Sequence, residues 1–315
     1  MATKRSNYYL SEEMVFNILS FLPVLSILRF KSVCKTWLSI ISNPQFVETQ
    51  LINSRKKQAS VLKACYDWRV YSIDTCEESF GLKLPSHCNG MVRYIRSCNG
   101  LVCLSDEYCN VICIWNPCTR QFKMLPVSEK KAELIPLYLG FGFDAIGNDY
   151  KILRIAFAEG CSFEAEAELY SANADSWKEV LVPEIEESFW HGPRKICGPD
   201  INGVLYLEGD GGLLAFDLHN EVFGEIVLSL WTLDDVCGSW TKKFNLEIDF
   251  ELNRVFLYLG FEQFVGLNYV FGYKFYDYKK KATKNLPFPT HLTDVKAVVK
   301  FTESLVSLEG FQLQE

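Results

Sequence analysis

Four stretches of this 315-residue sequence repeat one pattern: IWNPCTRQFKMLP (114–126), LYSANADSWKEVLVP (169–183), AFDLHNEVFGEIVL (215–228) and FYDYKKKATKNLPF (275–288). Each ends an apolar run on an aromatic residue (Trp115, Tyr170, Phe216, Tyr276) and follows it with a polar one (Asn116, Ser171, Asp217, Asp277). The seventh residue after the aromatic is Phe122, Trp177, Phe223 or Thr283. The pattern reads as strand, polar turn and return strand. One such unit cannot bury its apolar face alone, so copies must stack. The repeat therefore predicts the blades of a β-propeller, a radial arrangement that exposes few strand edges. A β-sandwich is the alternative; it accounts for the strands but not for the repeated unit.

From about residue 58 onward the chain keeps this texture. The runs GLVCL, VICIW, YKILRIAF, GVLYL, LLAFD, RVFLYLG and YVFGYKFY are punctuated by turn signals such as Asn89-Gly90, Asn99-Gly100, Asn202-Gly203 and Gly211-Gly212. ASVLKACYDWRVYSI (59–73) and KAVVKFTESLVSL (296–308) are expected to share a blade, because a propeller otherwise leaves a strand edge open where its ends meet. Aromatic anchors lie 46 residues apart from Tyr170 to Phe216 and 45 apart from Trp231 to Tyr276, but only 15 apart from Phe216 to Trp231. Repeats of roughly 40–50 residues are usual for blades. The short interval predicts one incomplete blade around 228–247.

Residues 10–53 have a different period. Leu10, Met14, Ile18 and Leu22 recur every fourth position with Val15 and Leu19 beside them, one broad apolar stripe. Ser11 can cap this helix, and Glu12 and Glu13 suit its first turn. Pro23 ends it and is acceptable as the first residue of a second helix. Val33, Trp37, Ile40 and Ile41 form a third stripe that stops at Asn43-Pro44. Between Leu10 and Ile41, 19 of 32 residues are apolar. A segment this short cannot bury them all by itself. They pack on the chain's own β-region or on a partner.

The net charge of −7 argues against nucleic-acid binding. The charge is uneven: residues 1–60 hold eight Lys/Arg and three Glu, whereas 159–188 hold nine Asp/Glu against Lys178. The acidic stretch reads as a solvated loop or as a face for a basic partner. No apolar run is long enough to span a bilayer, and Met1–Asn7 is too polar for a signal peptide. The twelve cysteines read as reduced thiols of a cytoplasmic or nuclear protein. Cys98, Cys103, Cys109, Cys113 and Cys118 cluster in sequence but lack paired Cys-x-x-Cys spacing and a nearby histidine, so buried thiols explain them better than zinc. GFGFDAIG (140–147) has the wrong glycine spacing for a phosphate loop and reads as a strand and hairpin turn. His87, His191, His219 and His291 lie far apart. No catalytic residue, cofactor or metal site is expected.

The opening stretch, LSEEMVFNILSFLPVLSILRFKSVCKTWLSIISNPQF, resembles an F-box. The match lies at Leu10, Ile18, Leu19, Leu22, Pro23, Leu28, Arg29, Phe30, Val33, Cys34, Lys35 and Trp37; it departs at Ser11, where the family usually has proline. The resemblance implies an all-α module of three to four short helices over residues 1–55 that docks on a Skp-family adaptor and, through it, a cullin. Leu10, Ser11, Met14, Ile18, Leu22, Pro23, Leu28, Val33, Cys34 and Trp37 would make or support the adaptor face.

Residues 56–315 resemble the plant F-box-associated, kelch-like β-propeller domain, on the segments SCNGLVCL, IWNPCTRQFKMLP, GFGFDAIGNDYKILRI, LYSANADSWKEV, NGVLYL, FDLHNEVFGEI and SWTKKF. Within that group, FDLHNEVFGEIVL, SWTKKF and VVKFTESLVSL look most like the S-locus F-box proteins of self-incompatible plants. The implied function is substrate recognition for a Skp–cullin–F-box ubiquitin ligase. The implied target is a non-self pollen-inhibiting ribonuclease, typically basic, with Glu184, Glu186 and Glu187 as candidate target contacts and no nucleic-acid or membrane partner. A propeller enzyme of the oxidase or glycosidase kind, with a helical extension, is the alternative.

Overall fold

The computed structural model describes residues 10–56, 60–64, 68–72, 78–86, 92, 94–106, 109–128, 134–158, 165–185, 189, 202–209, 212–227, 232–233, 240–241, 254–260, 263–268, 272–277, 282–285 and 297–314. Four helices open the chain: α1 (Glu12–Ser20), α2 (Val24–Phe30), α3 (Lys35–Ser42) and α4 (Pro44–Arg55). Ser11 caps α1, its hydroxyl accepting from the Met14 amide at 3.3 Å. Pro23 stands one residue earlier than its fixed φ suggested: it is the extended cap of α2, not its first helical residue. Asn43 leaves α3 in extended conformation and caps α4, where Pro44 takes the first position.

The strands follow in chain order. β1 (Ser60–Ala64), β2 (Trp68–Ser72) and β3 (Glu78–Leu82) precede β4 (Tyr94–Cys98), β5 (Leu101–Ser105), β6 (Ile112–Asn116) and β7 (Gln121–Met124). Next come β8 (Leu134–Asp144), β9 (Asp149–Ala158), β10 (Ala165–Ser171) and β11 (Ser176–Val180), then β12 (Val204–Gly209), β13 (Gly212–Asp217) and β14 (Val222–Val227). The last are β15 (Thr232–Leu233), β16 (Trp240–Thr241), β17 (Arg254–Gly260), β18 (Gln263–Asn268), β19 (Gly272–Asp277), β20 (Ala282–Asn285), β21 (Ala297–Phe301) and β22 (Gln312–Leu313). Among the described residues they pair as six sheets in sequence order, with two exceptions at the C-terminal end: β21 joins β1, and β22 joins β7. β21 lies against β4 and β17, β4 against β8, and β8 against β12. Trp240 pairs with Leu233 in the two-stranded sheet; Trp231 and most of 228–247 lie outside the described residues.

The repeat has a structural meaning. Trp115 pairs across the strands with Phe122, Tyr170 with Trp177, Phe216 with Phe223, and Tyr276 with Thr283. The seven-residue interval is thus the register of a hairpin with a four-residue loop. The polar residue holds that loop. Asn116 Oδ1 accepts from the Cys118 and Thr119 amides, Asp217 Oδ1 from His219 and Asn220, and Ser171 Oγ from Ala174. These are Asx- and Ser-type turns. The fourth loop residue is left-handed each time: Arg120 (φ 56°), Asp175 (φ 50°) and Glu221 (φ 59°). The hairpin turn expected at 140–147 is a further copy of this design. In FDAIGNDY, Phe143 pairs with Tyr150, Asp144 Oδ1 accepts from the Ile146 and Gly147 amides, and Asn148 is left-handed.

Side chains of these hairpins also tie neighbouring sheets together. Lys123, after the return aromatic of the second sheet, reaches Asp175 in the loop of the third at 2.9 Å. Lys178, in the same position of the third, bonds Glu221 in the loop of the fourth. Lys151 is buried between Asp144 and Glu221, 3.0 Å from each, and donates to the Leu218 carbonyl at 2.6 Å. Burial alone would raise the Asp144 carboxyl, but the Gly147 amide, Lys151 and His219 outweigh it and hold it at about 2.

The second and third sheets bury both faces. Cys103, Ile112 and Ile114 of the second pack with Leu139, Phe141, Tyr150 and Ile152 of the third. Leu153, Ile155 and Leu169, on the opposite face of the third, pack with Leu205, Leu207, Leu214 and Phe216 of the fourth. That is why GLVCL and YKILRIAF are nearly continuous apolar runs, and why the sheets are not a two-layer sandwich with alternating wet and dry faces.

The remaining faces of the first and second sheets meet the helices. Val15, Leu19, Val24, Ile27, Ile41 and Phe46 share one core with Val70, Ile95, Val102, Trp115 and Phe301. The C-terminal segment fastens this junction. Glu303 accepts from the Val24 amide at 2.9 Å, supplying the cap that Pro23 cannot. Asn116 donates to the carbonyls of Ser304 and Val306, and Arg55 to the Asn99 side chain. Asn99 and Gly100 form a two-residue turn with φ of 52° and 81°, and a Cβ at Gly100 would overlap Ser304 Cβ and the Thr302 carbonyl.

Two outcomes are expected. Gly100→Ala destabilises the chain by about 2 kcal/mol or more, through strain and collision together; Asn99→Gly gives up the exposed Arg55 bond but relieves a left-handed position, and is near neutral. Chemical denaturation of the two variants measures the contrast. Asp144 contributes stability that is fully present above the ordinary aspartate pKa of about 4, and that is lost as pH falls toward 2. Asp144→Asn should flatten that part of the stability–pH curve.

Candidate functional site

Helix α1 is apolar on two sides. Val15 and Leu19, one turn apart, face the core shared with the β-region. Met14 and Ile18 lie on the other side, Leu10 stands just before the cap, and all three are exposed by more than half. The single stripe expected from the sequence is therefore two stripes with different partners. Phe21, the residue that ends α1, extends the outer one and is 64% exposed; Leu25 and Leu38 are also exposed. These three and Ile52 were missed; Ile18 and Phe21 follow the i, i+3 spacing of one helix face, whereas Leu25 lies beyond the break at Pro23, where that spacing no longer applies.

The ten expected adaptor-facing residues divide accordingly. Leu10, Ser11, Met14, Ile18, Pro23, Val33 and Cys34 are exposed. Leu22, Leu28 and Trp37 are half-buried against the interior core, with Trp37 edge-on to Phe30 at 5.4 Å. They brace the outer strip from behind. Cys34 caps α3, its Sγ accepting from the Trp37 amide at 3.5 Å. Ser11 has a local reason to replace proline: its hydroxyl closes the first turn of α1. Covering a large aliphatic side chain contributes about 1.5–3 kcal/mol, so a strip of this size is a substantial latent binding surface.

The acidic stretch 159–188 is only partly a surface. Glu168 is buried, bonded to Arg154 and to the Ser128 hydroxyl at 2.5 Å, while Arg154 also donates to the Cys109 carbonyl and lies over the Trp177 ring. Asp175 takes hydrogen bonds from Tyr170 and Lys123, which lower its carboxyl. Burial, then the Asp175 carboxylate, pushes the Tyr170 phenol up. Glu179 and Glu184 are exposed. Glu186 and Glu187 lie outside the described residues, as do His87, His191 and His291.

The cysteines that cluster in sequence separate in space. Cys103 and Cys109 belong to the core between the second and third sheets, and Cys113 and Cys118 to the core under the helices. Burial raises the thiol of Cys109 to about 11 and that of Cys118 to about 12. Among the described residues, no group of three or more His, Cys, Asp or Glu could hold a metal ion, and no helix is long and apolar enough to cross a membrane.

Comparison with known proteins agrees with this division. The F-box domain family matches residues 9–49, the helices that carry the outer strip, and the F-box associated beta propeller domain family matches residues 66–238. The chain is 27% identical to a putative F-box protein of Arabidopsis thaliana over 76% of its own length and 70% of the relative's. It is 30% identical to a second putative F-box protein of that plant over 68% of its own length and 57% of the relative's. Its identity with an Arabidopsis F-box/kelch-repeat protein is 27%, over 77% and 58% of the respective lengths. The chain thus spans under two thirds of the length of some of these relatives. With helices of the one family leading into sheets of the other, this chain belongs to the plant F-box proteins that carry an F-box associated β-propeller domain.

Proposed function

We propose that this chain is the substrate-recognition subunit of a Skp–cullin–F-box ubiquitin ligase. The observation that carries the reading is the two-sided α1: its inner side is spent on the chain's own core and its outer side, Met14 and Ile18 with Leu10 just before the cap, is left exposed. A Skp-family adaptor covers the outer strip together with Pro23, Val33 and Cys34, and the cullin follows through the adaptor. The sheets hold a protein target. The chain makes and breaks no bond itself; its contribution is to keep the target beside the ubiquitin-charged enzyme, which raises effective concentration. The shared core and the Glu303–Val24 bond favour a fixed distance between the two binding faces.

The target we propose is a basic protein. Exposed Glu179 and Glu184 support this reading, with Glu186 and Glu187 adding charge in sequence. The likeness of FDLHNEVFGEIVL and SWTKKF to S-locus F-box proteins supports a ribonuclease of the pollen-inhibiting kind, in the cytoplasm of the pollen tube. Association with such a target should slow as ionic strength rises, because charge steering is screened; rates measured across salt concentrations test it, and a flat profile sinks the acidic-face reading.

Ile18→Asp and Met14→Asp should each abolish co-purification of a Skp adaptor while leaving thermal unfolding unchanged, since both residues are exposed. Undiminished capture would falsify the assignment. Leu19→Asp, aimed inward, should instead lower stability. Ser11→Pro fits the local φ of −64° but removes the hydroxyl cap; it should cost about 1 kcal/mol of stability and retain the adaptor.

A further inference from the structure

The repeat shows what one seam between sheets contains and the next lacks. Aligned by their hairpins, Phe122, Trp177 and Phe223 are equivalent return-strand residues, and 125–127 after β7 corresponds to 180–182 after β11. In the seam between the second and third sheets, Trp177 reaches across and its indole N–H donates to the Pro126 carbonyl at 2.8 Å. In the seam between the third and fourth sheets the corresponding ring is Phe223, which has no donor. There the equivalent stretch, Val180 to Val182, faces Val222 and Phe223 across an open groove of about 580 Å³. That volume lies within the ordinary range of ligand pockets.

The groove has an apolar floor and a charged margin. Val180, Val182 and Phe223 are half-buried against the core below. Leu181 stands 93% exposed and Val222 more than half exposed at the lip. Lys178 and Glu221 at one end bond each other, so their charges cancel. Glu179 lines the groove and Glu184 follows it; both are exposed. Over 178–187 the sequence carries Lys178 against Glu179, Glu184, Glu186 and Glu187, a net of −3.

We infer that this seam is a docking groove for a partner protein segment that presents a large aromatic side chain, tryptophan above all, flanked by lysine or arginine. The partner's ring packs on Phe223 and supplies the N–H that Trp177 supplies one seam earlier, donating it to the Leu181 carbonyl, the counterpart of Pro126. The flanking cations meet Glu179 and Glu184. Aromatic anchors in apolar pockets with a charged rim are the usual centre of such interfaces. The inference deepens the target-binding role of the sheets and rests on it.

The test uses the full-length chain and a fluorescein-labelled Lys-Lys-Trp-Lys-Lys peptide, read by fluorescence anisotropy. The peptide should bind, and the same peptide with alanine in place of tryptophan should bind about tenfold more weakly or worse. Phe223→Trp, which supplies the missing donor from within, and Leu181→Ala, a change at a solvent-exposed position, should each weaken binding about tenfold or more. No binding up to about 1 mM peptide, equal binding of the alanine peptide, or binding that survives either variant overturns the inference. Skp-adaptor capture run in parallel separates the two readings: both variants should capture the adaptor like the parent, and a parent that captures none refutes the ligase assignment while the peptide data still judge the groove.

Discussion

The pairing of β21 with β1 is the constraint on which the rest of the arrangement depends. It joins residue 301 to residue 60 in one antiparallel register and so brings the two ends of the sheet region together. The segment that follows β21 then visits each neighbour in turn. Glu303 caps α2, the Ser304 and Val306 carbonyls take the Asn116 amide, and β22 closes on the outer edge of the second sheet. Gly100 is required where this segment passes, because the space a side chain would need is already filled. Helices that would otherwise be a small separate module are thereby built into the core of the first two sheets.

The hairpins show how much a sequence repeat can encode. The interval from Trp115 to Phe122 was visible as a spacing, and it proved to be a register. Asn116, Ser171 and Asp217 were visible as polar residues, and they proved to be acceptors for loop amides. The turn at 140–147 was legible as a hairpin, but its kinship with the repeat was not, because Phe143 and Tyr150 lie at the turn end of a longer pair of strands and no second aromatic run marks them as a unit. The lysines after the return aromatics escaped for another reason: a bond between Lys123 and Asp175 joins two sheets, and nothing local to either residue announces it.

The candidate site was legible in outline and misread in detail. Periodicity identified α1 and its apolar character, but it merged Val15 and Leu19 with Met14 and Ile18, which lie about 100° apart on the helix and face different surroundings. Whether an apolar position is covered depends on what the chain folds against it, and that information sits some 280 residues away in β21 and Glu303. The acidic stretch illustrates the same limit. Glu168 and Glu184 look equivalent in sequence, yet one is buried against Arg154 and the other faces water.

The C-terminal latch also has a consequence for how the protein is made. Synthesis delivers the four helices and β1 long before β21. Until that segment emerges, β1 has only β2 beside it, α2 lacks the Glu303 cap, and the inner side of α1 lacks Phe301 and Leu305. A chain interrupted before β21 would carry the outer strip of α1 on helices that lack part of their inner support. The segment from β21 onward therefore decides which side of the amphipathic α1 is covered: with it in place the inner side lies in the shared core and only the outer side is left exposed.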